Sequence, residues 1–217
     1  MADKPFKSPP KDCDLCGRLV AFRQDNQKLF PDKFNGAVPS FGNIDAQLLV
    51  VGLAPGLKGA NFTGRPFTGD YAGDLLYPSL IEHGFATGVF DARPDDGLTL
   101  VNTRITNAVR CVPPQNKPTT DEIKTCRDFL INEIKAMPRL KVLLALGRIA
   151  HDSVLRTLSI PLKNHAFGHG NIHELGTYTL IDSYHCSRYN VNTGRLDADM
   201  FGAVLTSIKG CLEHGTN

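Results

Sequence analysis

The sequence predicts an α/β fold, a three-layer α/β/α sandwich around a central, mostly parallel sheet of four strands. Three observations carry this. Four short apolar runs are nearly continuous rather than alternating, the pattern of strands covered on both faces. Helical patterns separate them, so strand and helix alternate along the chain. The 217 residues are 41% hydrophobic and 21% charged, which suits one globular domain with its own core. We expect that domain over residues 13–217, after a flexible leader of residues 1–12 that is rich in Lys and Pro.

The first run is "AQLLVVG" (46–52), followed by the helical pattern "AGDLLYPSLIEHG". The second is "LTLVN" (98–102). After it comes "TTDEIKTCRDFLINEIKAM", where Thr119 and Glu122 stand at capping-box spacing ahead of Ile123, Phe129, Leu130 and Ile134. The third is "KVLLALG" (141–147), leading into "RIAHDSVLRTL". The fourth is "YTLIDS" (178–183), and "LDADMFGAVLTSIKGCL" closes the pattern as a helix. Ligands of such folds bind beyond the carboxyl ends of the strands. Three polar or Gly-rich loops are therefore expected to converge on one site: from Gly52 onward, from Asn102 to Asn116, and from Ser183 to Arg195.

Net charge is +2, too small to imply nucleic acid by itself, although a local basic face is compatible with it. No apolar run approaches the roughly 20 residues of a membrane span. The start "MADKPFKSPPKDC" has no apolar segment of a secretory signal, so an intracellular, cytoplasmic protein with no membrane partner is expected. A monomer is the default expectation.

Cys13 and Cys16 form "CDLC" ahead of the first strand, Cys111 follows the second, and Cys126 lies in the helix after that. Four thiols in this arrangement suit a closed metal site. Zn(II) and an iron–sulfur cluster both accept four thiolates, and spacing does not separate them. Cys211 lies on the apolar stripe of the last helix and reads as packing.

The stretch "GLAPGLKGANFTGRPFTGD" (52–70) holds five Gly and two Pro in nineteen residues. Gly lets backbone approach a flat or phosphorylated ligand. Phe67 offers a ring for stacking, and Asp70 is either a helix N-cap or a working carboxylate. Asn116 is either a turn residue or an amide able to pair with a base edge. His185 follows the last strand in "SYHCSRYNVNTGRL", among Ser187, Arg188, Asn190 and Arg195, residue types that hold phosphates. His165, His169 and His173 are spaced four apart, but Gly168 and Gly170 argue against a helical metal face.

Taken together, "GLAPG", "TGRPFTGD", the four Cys and "SYHCSRYNVNTGRL" resemble family 5 (the UDGb type) of the uracil-DNA glycosylase superfamily, from Cys13 to the final helix. The resemblance implies excision of uracil, and often hypoxanthine or other deaminated bases, from DNA by a monofunctional glycosylase. It implies a [4Fe-4S] cluster on Cys13, Cys16, Cys111 and Cys126. It also implies base contacts by Gly52, Ala54, Phe67 and Asn116 and catalysis by Asp70 and His185, while the residue types of the last loop suit DNA contacts by Ser187, Arg188, Asn190 and Arg195. Ala54 stands where other families carry an Asp or Asn for the attacking water, and Cys186 replaces the usual Pro or Val after the His. A metal-stapled DNA- or nucleotide-binding module without catalysis is the alternative. A zinc hydrolase using His165 and His169 is a third reading.

Overall fold

A computed structural model describes residues 8–214; residues 1–7 of the expected leader lie outside the described residues. The elements run α1 (Gly17–Leu29), β1 (Phe41–Gly42), β2 (Leu48–Gly52), α2 (Ala60–Thr63), α3 (Tyr71–Glu82), β3 (Ala86–Thr87), β4 (Thr99–Leu100) and β5 (Thr103–Asn107). They continue with α4 (Thr120–Ala136), β6 (Val142–Leu146), α5 (Arg148–Thr157), β7 (Ile172–Leu175), β8 (Tyr178–Ser183), α6 (Arg188–Asn192) and α7 (Ala198–His214).

One sheet has the order β1-β5-β2-β6-β8-β7. Its four central strands β5, β2, β6 and β8 are parallel. The expected four-stranded sheet is thus its centre, and the sheet itself has six strands. The antiparallel edges β1 and β7 were invisible to a search for continuous apolar runs. β1 has two residues, and β7 alternates exposed and half-buried positions as an edge strand does.

Successive strand residues feed opposite layers. Leu48, Val50, Leu144 and Ile181 pack with Leu76, Leu80, Phe201 and Leu205 of α3 and α7. Leu49, Val51, Leu143 and Leu180 pack with Leu130, Ile134, Val154 and Leu155 of α4 and α5. Cys186 is buried in the first layer, and half-buried Cys211 packs against it. Among the described residues no helix is long and apolar enough to cross a membrane.

The second expected strand is displaced. Thr99–Leu100 pairs only with Ala86–Thr87 in a separate ladder, and the core strand is "TRITN", five residues further on. That strand is fully buried although four of its five residues are polar. The reason is Glu133 of α4. Its Oε1 accepts from Arg104 Nε at 2.6 Å, and its Oε2 accepts from Thr106 Oγ1 at 2.9 Å and from Arg110 Nη2. Burial would push the Glu133 carboxyl up, but Arg110 and Arg104 outweigh it and hold it below its ordinary value. Removing one member of such a set leaves uncompensated buried charge, at a cost of about 3–5 kcal/mol.

The capping box of α4 forms as its spacing predicts: Thr119 Oγ1 accepts from Glu122 N at 3.2 Å, and Glu122 Oε2 accepts from Thr119 N at 2.7 Å. Glu122 also takes Arg18 Nε and Nη2, both at 2.7 Å, which ties α1 to the start of α4. Thr119→Ala is expected to lower unfolding stability by about 1 kcal/mol in a urea melt, with α1 still attached through Arg18.

Candidate active site

A cleft opens at the carboxyl ends of β2, β5 and β8. Ala54, Phe67, Asp70, Asn116, His185, Ser187 and Arg188 all line it, so it draws on all three expected loops.

Its floor is backbone. A Cβ on Gly52 would lie 2.4 Å from Asn107 Oδ1 and 2.5 Å from Phe67 Cζ, so only Gly lets the ring and the amide close over this strand end. Phe67 is buried with φ +51°, an uncommon conformation for a bulky residue. Its ring centroid is 6.0 Å from that of His185.

Asp70 caps a helix and also lines the cleft. Oδ1 caps α3 by accepting from Ala72 N at 3.2 Å. Oδ2 faces Gly56 and Gly59, whose added Cβ atoms would stand 3.1 and 2.2 Å from it. Burial raises the Asp70 pKa, against the Gly73 and Ala72 amides and with help from Asp74. Asn116 ends a 3-10 turn (Pro114–Asn116) with φ +56°, and its exposed side chain reaches the rim.

His185 leaves β8 half-buried, lining both this cleft and its neighbour, and burial lowers its pKa to about 4. Asn190 Nδ2 donates to its carbonyl at 2.8 Å and so fixes the turn. Ser187 caps the short helix α6 by accepting from Asn190 N at 3.4 Å. Arg188 lies 5.3 Å over the Tyr71 ring and Arg195 4.4 Å over that of Tyr184. Asn190 and Arg195 line an adjoining cleft with Arg148 and Phe167, on the other side of His185.

Sequence reading missed Asn107 and Tyr71, which line this cleft, and Arg148, which lines the adjoining one. Asn107 was findable: "TRITN" is rich in β-branched residues and ends at a loop.

Cys13, Cys16, Cys111 and Cys126 line one enclosed, largely apolar cavity with Leu19, Ala37 and Val109. All four thiols are free. Burial raises Cys111 to about 12 and Cys126 to about 11, so these thiols stay protonated unless a cation binds them. Donors already point at the sulfurs: Arg23 Nη1 stands 3.8 Å from Cys111 Sγ, and Arg110 N donates to Cys126 Sγ at 3.4 Å. Ala54 packs against this cluster while lining the cleft, so one residue separates the two sites.

The histidine-rich run forms a brace. His151, His173 and Asp182 bring ligand atoms within 4.8 Å of one another, whereas His169 stacks on Tyr184 at 5.0 Å. Asp182 Oδ1 accepts from His151 Nδ1 at 2.7 Å, and Oδ2 faces His173 Nε2 at 3.0 Å and Gly168 N at 3.2 Å. His151 Nε2 meets the His165 carbonyl at 2.9 Å, so both its nitrogens face acceptors. Burial disfavours charge on His151, but Asp182 outweighs it and the pKa is raised. The arrangement ties α5, β7 and β8 together beside the second cleft, and His165 and His169 do not form the hydrolase pair considered above.

The chain matches the Uracil DNA glycosylase superfamily over residues 39–209. It is 43% identical to a type-5 uracil-DNA glycosylase of Thermus thermophilus, covering 91% of this chain and 92% of that one. Identity to the type-5 enzyme of Pyrobaculum aerophilum is 36%, covering 93% and 91%; to that of Mycobacterium tuberculosis it is 37%, covering 91% and 77%. With its sheet, its cleft at the strand ends and these relatives, the chain belongs to the uracil-DNA glycosylase superfamily.

Proposed function

We propose that the protein is a monofunctional DNA repair glycosylase that hydrolyses the N-glycosidic bond of uracil in DNA and leaves an abasic site. The observation that carries this is the convergence of a ring (Phe67), a carboxylate (Asp70), an amide (Asn107) and an uncharged imidazole (His185) around one cleft. Hypoxanthine and other deaminated bases belong to the same proposal, because Ala54 leaves room where a larger polar group would crowd a purine.

The target base must leave the stack, at a cost of a few kcal/mol. Stacking on Phe67 offsets about 1–3 kcal/mol of it. Ser187 and Arg188, with Arg195 across the second cleft, hold phosphates and fix the strand. Tyr189, 71% exposed next to Arg188, offers a further ring to the DNA.

As the glycosidic bond breaks, negative charge grows on O2 of uracil and positive charge on the sugar. A neutral His185 donates one N–H to the oxygen in a site shielded from water. Asp70, through the oxygen not used for capping, orients water or balances the cationic sugar. Ala54 has no group to activate water, so stabilisation of the leaving anion carries most of the rate enhancement.

The Cys cavity is read as the seat of a [4Fe-4S] cluster on Cys13, Cys16, Cys111 and Cys126, supported by four free thiols with N–H donors aimed at two of them. A bound cluster would supply a covalent staple between the first helix and the β5–α4 segment.

The test is incubation with oligonucleotides carrying one uracil or one hypoxanthine, followed by alkali. Alkali-dependent cleavage at the modified position is expected. Intact strands from protein with full iron and sulfide content would favour the binding-module alternative. Within the active enzyme, His185→Ala is expected to lose more excision rate than Asp70→Asn, and the reverse order would contradict the mechanism.

The pH dependence follows from His185. Its folded pKa of about 4 lies below the ordinary 6.5. As pH falls the unfolded chain takes this proton first, so this group's contribution to stability is complete above about 6.5 and is lost toward about 4. In the free protein, the His185 ring resonance is expected to titrate near 4. A midpoint near the ordinary 6.5 would contradict a depression of this pKa by burial.

A further inference from the structure

Phe67 has a backbone that few aromatic residues adopt, and such strain of about 1–3 kcal/mol persists only where surrounding structure over-determines it. What determines it lies outside the cleft, on both sides of the residue. Before it, the Pro66 carbonyl accepts from Tyr77 OH at 2.6 Å and from Thr68 Oγ1 at 3.1 Å. After it, Thr68 Oγ1 accepts in turn from Arg65 Nε at 2.7 Å. The Arg65 guanidinium then forks onto Asp96, with Nη1 to Oδ1 at 2.8 Å and Nη2 to Oδ2 at 2.7 Å.

Asp96 is itself anchored. Its side chain has no exposed surface, and it accepts from Asp91 N at 3.0 Å and Leu98 N at 3.1 Å. Arg65 lies 5.3 Å from the Phe41 ring, 5.4 Å from that of Tyr77 and 5.9 Å from that of Phe90. This is a fully satisfied polar unit inside an aromatic box. A buried ion pair adds little net stability over an apolar replacement of the same shape, and fixing one conformation is a use to which such pairs are put. Here the conformation fixed is that of residues 65–68.

We propose that Arg65, Asp96 and Tyr77 are positioning residues that hold the Phe67 ring in place for the extruded base before DNA arrives. The proposal rests on the reading of Phe67 as the stacking surface. None of the three lines the cleft, so they act only through the loop. Pre-organisation of this kind raises the rate of the bound complex and leaves the phosphate contacts of Ser187 and Arg188 untouched.

The experiment is single-turnover excision on a uracil oligonucleotide, reading the maximal rate and the half-saturating enzyme concentration separately. Tyr77→Phe removes one hydroxyl at constant shape, and Arg65→Lys keeps the charge but loses the fork. Each is expected to lower the maximal rate about tenfold, with half-saturation unchanged. In a Phe67→Leu background, Tyr77→Phe is expected to add nothing, because the ring it positions is gone. Losses that simply add would mean that Tyr77 acts elsewhere, and would overturn the proposal. So would wild-type rates from folded Tyr77→Phe and Arg65→Lys when Phe67→Leu is slow. A Phe67→Leu variant as fast as the wild type would remove the stacking reading and the proposal with it. Thermal melts establish folding, and if Arg65→Lys fails to fold, Tyr77→Phe decides alone.

Discussion

Glu133 has no exposed surface, yet it carries a carboxylate between Arg104 and Arg110. The geometry of both candidate sites depends on that arrangement. β5 can enter the sheet with polar residues on it only because α4 presents this group to it. Once held, the strand delivers Asn107 to the cleft floor, and three to four residues later it delivers Arg110 and Cys111 to the thiol cavity. Ala108 N and Val109 N continue the pairing to Gly52 O and Leu53 O, both at 2.9 Å, so the two chains leave the sheet in register. α4 contributes Cys126 two turns before Glu133. A single buried charge cluster thus sets the distance between the cleft and the cysteines.

The cleft is built from constraints rather than from a rigid wall of large side chains. Gly52 must lack a Cβ because Phe67 and Asn107 meet over it. Asp70 divides its oxygens between helix capping and the cleft. His185 gains an uncharged ring by burial alone, with no acid partner to hold a proton on it. His151, on α5, is driven the other way by Asp182. The two histidines show how a carboxylate neighbour decides which imidazole carries charge.

Much of this was legible in the sequence. Continuous apolar runs located β2, β6 and β8, because strands covered on both faces leave little room for polar residues. Thr119 and Glu122 marked the start of α4. The three loops were visible as departures from periodicity. The edge strands β1 and β7 were hidden by their shortness and exposure, and most of the rest by the burial of polar residues against partners that periodicity does not show. β5 reads as a loop until Glu133 is opposite it. α1 lacks an apolar stripe because Arg23 and Asn26 are buried against the carbonyls of Asp12, Cys13 and Phe22. Asn107 escaped notice for the same reason as the strand that ends in it.

The most direct test of this dependence is the Glu133→Gln variant, assayed well below its melting temperature. Two readouts are taken together: the uracil excision rate, and the rate at which Cys111 and Cys126 react with an alkylating reagent after chelation of any metal. If Glu133 sets both sites through β5, excision slows and both thiols become more reactive in the folded protein. If the variant melts earlier while excision and thiol reactivity stay at wild-type values, the carboxylate contributes only stability, and the link between the two sites is wrong.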